Sequence, residues 1–154
     1  MFKGIVAALF PLALMVGCSA TTVSPAIASK PGVTTGFNGD GYAIVKSIVF
    51  QRPAADPSRL LKCVQTEVDG LTAPPVELDG SVKANGRAYA QLQYSNYVSY
   101  SLTVRGGKYT FDRLANAGTN GPAFELMGSS YGTPQNAYSA LESLADRISG
   151  CAAG

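Results

Sequence analysis

The side chains able to do chemistry in this chain are serines, lysines, carboxylates and three cysteines, and the sequence contains no histidine. Gly128-Ser129-Ser130-Tyr131-Gly132 matches the nucleophile-elbow pattern G-x-S-x-G letter for letter. That pattern needs a sharp turn to present the serine and a histidine to take its proton. Without histidine, the Ser130 hydroxyl has no base to activate it. Two glycines and two serines ahead of Pro134 read as loop chemistry instead. Ser81 and Lys83 suggest a Ser-Lys pair, but any extended segment supplies that spacing. Asn38-Gly39-Asp40-Gly41 opens like a calcium loop of the EF type. Such a loop closes on a glutamate at its twelfth position, which here is Val49. No paired carboxylates stand at a telling spacing. No catalytic residue, metal site or cofactor is expected, and the chain reads as a non-enzyme.

Charge excludes a further class. Twelve basic residues against ten acidic ones leave a formal net charge of +2, with no run of like charges. That gives no electrostatic case for nucleic acid. The cysteines divide into one near the start, Cys18, and two within the body, Cys63 and Cys151. In an exported protein an even pair is expected to form a disulfide, here Cys63–Cys151. The competing reading is two free thiols or a redox pair, though no C-x-x-C spacing is present.

Export is indicated by the first stretch. Lys3 and the amino terminus form a positive start, and Ile5 to Val16 is apolar apart from Pro11. Small residues and a cysteine follow, the order of a secretory signal peptide. The run is too short for the ~20 apolar residues a membrane span needs. Met15-Val16-Gly17-Cys18 resembles the lipobox of bacterial lipoproteins, with Met15 where leucine is usual. The resemblance covers residues 1–18 only. It implies cleavage before Cys18, acylation of Cys18 on its sulfur and its new amino group, and a lipid anchor in the membrane. The alternative is cleavage after Ala20, which would release a soluble periplasmic protein. Ser19 and Ala20 follow the cysteine without an acidic residue, resembling members sorted to the outer membrane, facing the periplasm.

The elements that must carry any site follow in order. Residues 18–41 are rich in Ser, Thr, Ala, Pro and Gly, with apolar residues at no regular period, and read as a lipidated flexible tether. A single domain is expected over residues 42–154. Tyr42–Gln51 is apolar and β-branched and reads as a strand. Asp56-Pro57 is a helix start, and Leu60, Leu61, Val64 and Val68 keep helical spacing up to Asp69-Gly70. The β-branched Val64, Thr66 and Val68 leave a strand over Leu60–Val68 readable too. A short edge strand is expected at Val76–Leu78, after Pro74-Pro75. Between Lys83 and Leu114 the pattern alternates with period two. Asn85-Gly86 marks a turn, then Ala88, Ala90, Leu92 and Tyr94 share one face. Val98, Tyr100, Leu102 and Val104 share the same face after Ser95-Asn96, and Gly106-Gly107 marks a hairpin turn before Tyr109 and Phe111. Ala123–Met127 reads as one more strand. Thr133-Pro134 opens a final helix with Ala137, Leu141, Leu144, Ala145 and Ile148 as its stripe, ending at Gly150 with Cys151 just beyond.

The expected fold is therefore α+β: an antiparallel sheet of four to six strands packed against a C-terminal helix, with a second helix or a strand near residues 57–69. The polar face of the meander carries Tyr89, Gln91, Gln93, Tyr97, Ser99, Ser101 and Thr103. It is nearly uncharged and tyrosine-bearing, suited to contact with a glycan or protein, although a solvated strand face has the same pattern. The expected function is a non-catalytic envelope lipoprotein, a small interaction domain whose partners are the membrane, through the anchor, and an envelope protein or glycan. The alternative is a periplasmic carrier holding a small apolar or lipid ligand between sheet and helix.

Overall fold

A computed structural model of the chain describes residues 19–118 and 123–154. The expected signal peptide and lipobox, Cys18 among them, and part of the polar loop after Asn116 lie outside the described residues. Three helices, α1 (Pro25–Ala28), α2 (Pro57–Glu67) and α3 (Pro134–Ala153), accompany seven strands. The strands are β1 (Val33–Phe37), β2 (Ala43–Gln51), β3 (Val76–Leu78), β4 (Ser81–Tyr89), β5 (Tyr97–Arg105), β6 (Lys108–Asn116) and β7 (Phe124–Glu125). They form one antiparallel sheet in the order β1-β2-β6-β5-β4-β3, with β7 paired to the end of β6. The architecture is α+β, as the alternation implies. The sheet has seven strands where four to six were expected; β7 falls within the expected strand Ala123–Met127, and the unexpected one is β1, in the stretch read as a tether.

Alternation fixes the sheet. Along β5, Val98, Tyr100, Leu102 and Val104 are buried and Tyr97, Ser99, Ser101 and Thr103 are half-buried. The buried set joins Ile48, Phe50, Phe111 and Tyr109 from β2 and β6. Leu60, Cys63 and Val64 of α2 and Leu141, Leu144 and Ile148 of α3 close over them. Among the described residues, helices thus cover one face and leave the other bare. Gly106 and Gly107 both have positive φ, as the two-residue turn between β5 and β6 requires.

Tertiary packing settles α2 as a helix. Asp56 caps it, its Oδ1 accepting from Ser58 N at 3.0 Å and Arg59 N at 3.3 Å, with Pro57 as the first helical residue. Val64 spends its stiff side chain in the core, and Thr66 Oγ1 donates to the Lys62 carbonyl at 3.0 Å. Asp56→Ala is expected to cost about 1 kcal/mol in urea denaturation, because it orphans two backbone donors. A change below a few tenths would show that the cap is idle.

Four expectations need correction. Residues 18–41 are not a free tether over their described part. Ser24 N donates to Gly128 O at 2.8 Å, Ile27 is fully buried and β1 pairs with β2. Ile27 joins the core and Val23 and Val33 pack partly buried against it, but their spacing has no regular period to announce them. Asn85-Gly86 is not a turn but lies inside β4. A Cβ on Gly86 would collide with the Val68 side chain and lie 3.0 Å from Asp69 O, so glycine serves close approach there. The tight turn is Asp79-Gly80, both at positive φ, joining β3 to β4. Next, β4 ends at Tyr89, although Ala90 and Leu92 remain buried. The Leu92 N–H donates to Ser95 O at 2.8 Å and turns the chain, leaving Tyr94 exposed. Finally, α3 runs through Gly150 to Ala153. Ala152 is buried and its carbonyl lies 3.5 Å from Arg59 Nη1, so packing holds a last turn that glycine alone would fray.

Candidate functional site

The bare face of the sheet is built by register. Thr34, Ser47, Asp112, Ser101 and Asn85 stand across five strands in one row. Val49, Thr110, Thr103 and Lys83 form the next. Short polar side chains dominate because each is the outward partner of a core residue. Ser101 Oγ donates to Asn85 Oδ1 at 2.6 Å, tying β5 to β4.

One irregularity gives this face its charge. The β5–β6 register shifts between Ser99 and Ser101, and Arg113 adopts φ 49°. The bulge turns Asp112 and Arg113 outward in succession before Leu114 returns to the core. A groove of about 430 Å³ runs here, lined by Pro74, Lys83, Asn85, Ser101, Thr103, Asp112 and Arg113 among others. Sequence reasoning missed Arg113. Two consecutive polar residues, Asp112-Arg113, between Phe111 and Leu114 were the signal.

The expected contact residues separate into two groups. Tyr89, Tyr97, Ser99 and Ser101 share the strand face. Tyr89 and Tyr97 meet edge to face at 5.8 Å, and the Arg87 guanidinium sits 4.8 Å from the centre of the Tyr97 ring. Gln91 and Gln93 lie instead in the loop after β4, with exposed side chains. The Gln91 carbonyl accepts from Thr133 Oγ1 at 3.2 Å and Asn136 Nδ2 at 2.7 Å, anchoring the start of α3.

The remaining motifs resolve into structure. Ser129 is fully buried and Ser130 is exposed at the start of a single 3-10 turn, Ser130–Gly132. Asn38 Oδ1 accepts from Asp40 N and Tyr42 N at 3.1 and 3.0 Å, so it closes its own turn. Ser81 Oγ donates to Leu78 O at 2.7 Å, within the β3–β4 turn, while Lys83 faces out to the groove. Cys63 and Cys151 form the disulfide, linking α2 to α3 with Cα atoms 5.8 Å apart. Phe50, Tyr138, Tyr100 and Phe111 stack edge to face between sheet and helices. With Leu141 and Leu144 they fill the space between sheet and helix that the alternative carrier reading would leave for a ligand.

A second cleft of about 220 Å³ lies where α2 and α3 meet the edge of β4, lined by Glu67, Asp69, Arg87 and Arg147 among others. Glu67 Oε2 pairs with Arg147 Nε at 3.2 Å, and Arg147 Nη1 donates to Ser143 Oγ at 3.3 Å. The Tyr100 hydroxyl is buried without a partner among the described residues. Burial, then the Asp69 carboxylate, hold it well above the usual tyrosine range, against the opposing Arg147 charge. Its neutral form is favoured by folding, so that contribution is complete below the ordinary tyrosine value near ~10 and fades as pH rises beyond it. Tyr109, also raised by burial, acts in the same direction. Tyr100→Phe should cost less than ~1 kcal/mol at neutral pH, since the hydroxyl has no bond to lose. It should also reduce the loss of stability between about pH 9 and about pH 11, read from urea midpoints. An unchanged alkaline slope would remove Tyr100 from this account.

No protein-family model, no curated protein and no solved structure matches this chain.

Proposed function

We propose that the chain is a lipid-anchored bacterial envelope lipoprotein whose disulfide-stapled domain binds a polar partner without catalysis. The reading combines the lipobox resemblance at Cys18 with one structural observation. That observation is the groove across the bare sheet face, with hydroxyl and amide groups from Ser101, Thr103 and Asn85 beside Lys83, Asp112 and Arg113. Fixed strands present these groups at little further cost in conformational entropy. A glycan or an extended peptide offers matching hydroxyls and amides. The proposed location is the outer membrane, facing the periplasm. Among the described residues no helix is long and apolar enough to cross a membrane, so under this reading attachment rests on Cys18.

The test is binding to cell-wall sacculi and to cross-linked envelope proteins. A Ser101→Arg, Thr103→Arg variant crowds the groove at partly exposed positions, so its thermal midpoint should stay near that of the parent. Retention of the bound material should fall roughly tenfold, the equivalent of about 1.4 kcal/mol. Equal retention by parent and variant would remove the groove as the contact surface.

A further inference from the structure

Six exposed aromatic side chains gather at one end of the sheet. Phe37 ends β1 and Tyr42 precedes β2, while Tyr89 ends β4. Tyr94 and Phe124 meet edge to face at 5.7 Å, and Phe124 pairs with Asn116 at the end of β6. Tyr131 follows Gly128, which packs on the Ile44 backbone at the start of β2. Each exposes between 44% and 66% of its surface. The opposite end of the sheet carries the Gly106-Gly107 and Asp79-Gly80 turns, flanked by Arg105, Lys108 and Glu77. Among the large apolar side chains exposed in the described residues, only Val76 and Leu78 of β3 lie away from the aromatic end.

The chain enters the domain at this same end. The Ala20 carbonyl accepts from Ala43 N at 2.9 Å, the first residue of β2. Ala20, Tyr42, Tyr94 and Phe124 line one open groove of about 720 Å³. Cys18 is two residues before Ala20, so its Cα lies at most about 7 Å away. A lipid on Cys18 therefore cannot leave the domain hanging clear of the bilayer.

We propose that this aromatic end is a membrane-docking face, with Tyr42, Tyr94, Phe124 and Phe37 at headgroup depth around the acylated Cys18. The inference rests on the lipid-anchor reading. Aromatic rings with a polar tip settle at the membrane–water boundary, where one part is apolar and the other wet. The anchor makes contact intramolecular, so even weak insertion is populated at the resulting high local concentration. Charge argues for contact through apolar area, because the groove lining includes Asp40 and Glu125 and no basic side chain. Added salt should then not weaken docking, since it screens only the repulsion of these carboxylates from anionic lipid. Strands standing on this end rise ~3.3 Å per residue. Ser101 and Thr103, four and six positions along β5 from Tyr97, are thereby lifted clear of the lipid.

The sequence contains no tryptophan, so a single introduced indole is a unique reporter. Full chains carrying Phe124→Trp, Tyr94→Trp or, at the far end, Leu78→Trp would be produced in a bacterial host and checked for acylation by intact mass. They would then be reconstituted in phosphatidylethanolamine–phosphatidylglycerol vesicles containing lipids brominated near the top of the acyl chains. At 124 and at 94 the fluorophore should lose most of its emission and shift to the blue, an effect that added salt does not diminish, while that at 78 stays unquenched. Acylated protein with unquenched fluorophores at both 124 and 94 overturns the docking face alone. Absence of acyl mass overturns the anchor and the docking face with it. Protection of these sites from aqueous quencher by envelope protein, without quenching by brominated lipid, assigns the end to a protein partner and also overturns the proposal.

Discussion

Replacing both bridge cysteines, Cys63→Ala with Cys151→Ala, is expected to cost about 4–5 kcal/mol and to lower the melting midpoint by about 15 °C. The bridge closes a loop with a sequence separation of 88 residues. The large loop is what makes the expected effect large, because the unfolded chain regains the freedom the cross-link denied it. Set against the ~5–15 kcal/mol that holds an ordinary domain, this is a major share. Native contacts between α2 and α3 remain after the change, including Glu67–Arg147 and the Arg59 contact to Ala152 O. The pair should therefore still fold, but unfold earlier. The double variant is the clean one, since a single replacement leaves a thiol free to form intermolecular bridges. Scanning calorimetry of parent, reduced parent and double variant would decide the matter. A shift of less than ~3 °C would mean that packing, not the cross-link, positions α3.

Cys18→Ser should abolish acylation, removing the mass of the acyl groups and leaving either an uncut or a soluble product. Stable anchoring takes more than one acyl chain, at ~0.8 kcal/mol for each buried methylene, and a serine hydroxyl gives the acylating step no thiolate to use. The loss is thus expected to be all-or-none rather than graded. The folded body should survive, because its N-terminal contacts begin at Ala20 and Ser24. Fractionation with intact mass measurement reads both effects. Unchanged retention and unchanged mass would end the lipoprotein reading, and with it the proposed location. Release together with a retained acyl mass would place the modification elsewhere in the chain.

Legibility differed by element, and the differences have physical causes. The Val98–Val104 alternation and the Gly106-Gly107 turn were readable because strand period and turn chemistry are local. The cap at Asp56-Pro57 was readable for the same reason, although the β-branched residues after it left strand and helix in competition until Val64 had a core to enter. Ile27 was invisible because one apolar residue among Ser, Pro and Ala has no period. Gly86 misled because glycine after asparagine usually supplies a turn, while here it makes room for Val68. The candidate contact face was partly legible: Tyr97, Ser99 and Ser101 follow from alternation, whereas Gln91 and Gln93 leave the face where β4 ends.

The sequence by itself determined the α+β class, the meander, the C-terminal helix and the absence of histidine chemistry, because composition, period and capping act over a few residues. It also carries the residues 1–18 whose order resembles a signal peptide ending in a lipobox, the basis of the proposed anchor. Only the tertiary structure decided that the segment after Cys18 belongs to the domain, that the Asp112–Arg113 bulge adds charge to the bare face, and that six aromatics converge where the chain enters. These depend on which distant strands become neighbours. The burial energy of the whole core selects that pairing, and no short window of sequence contains it.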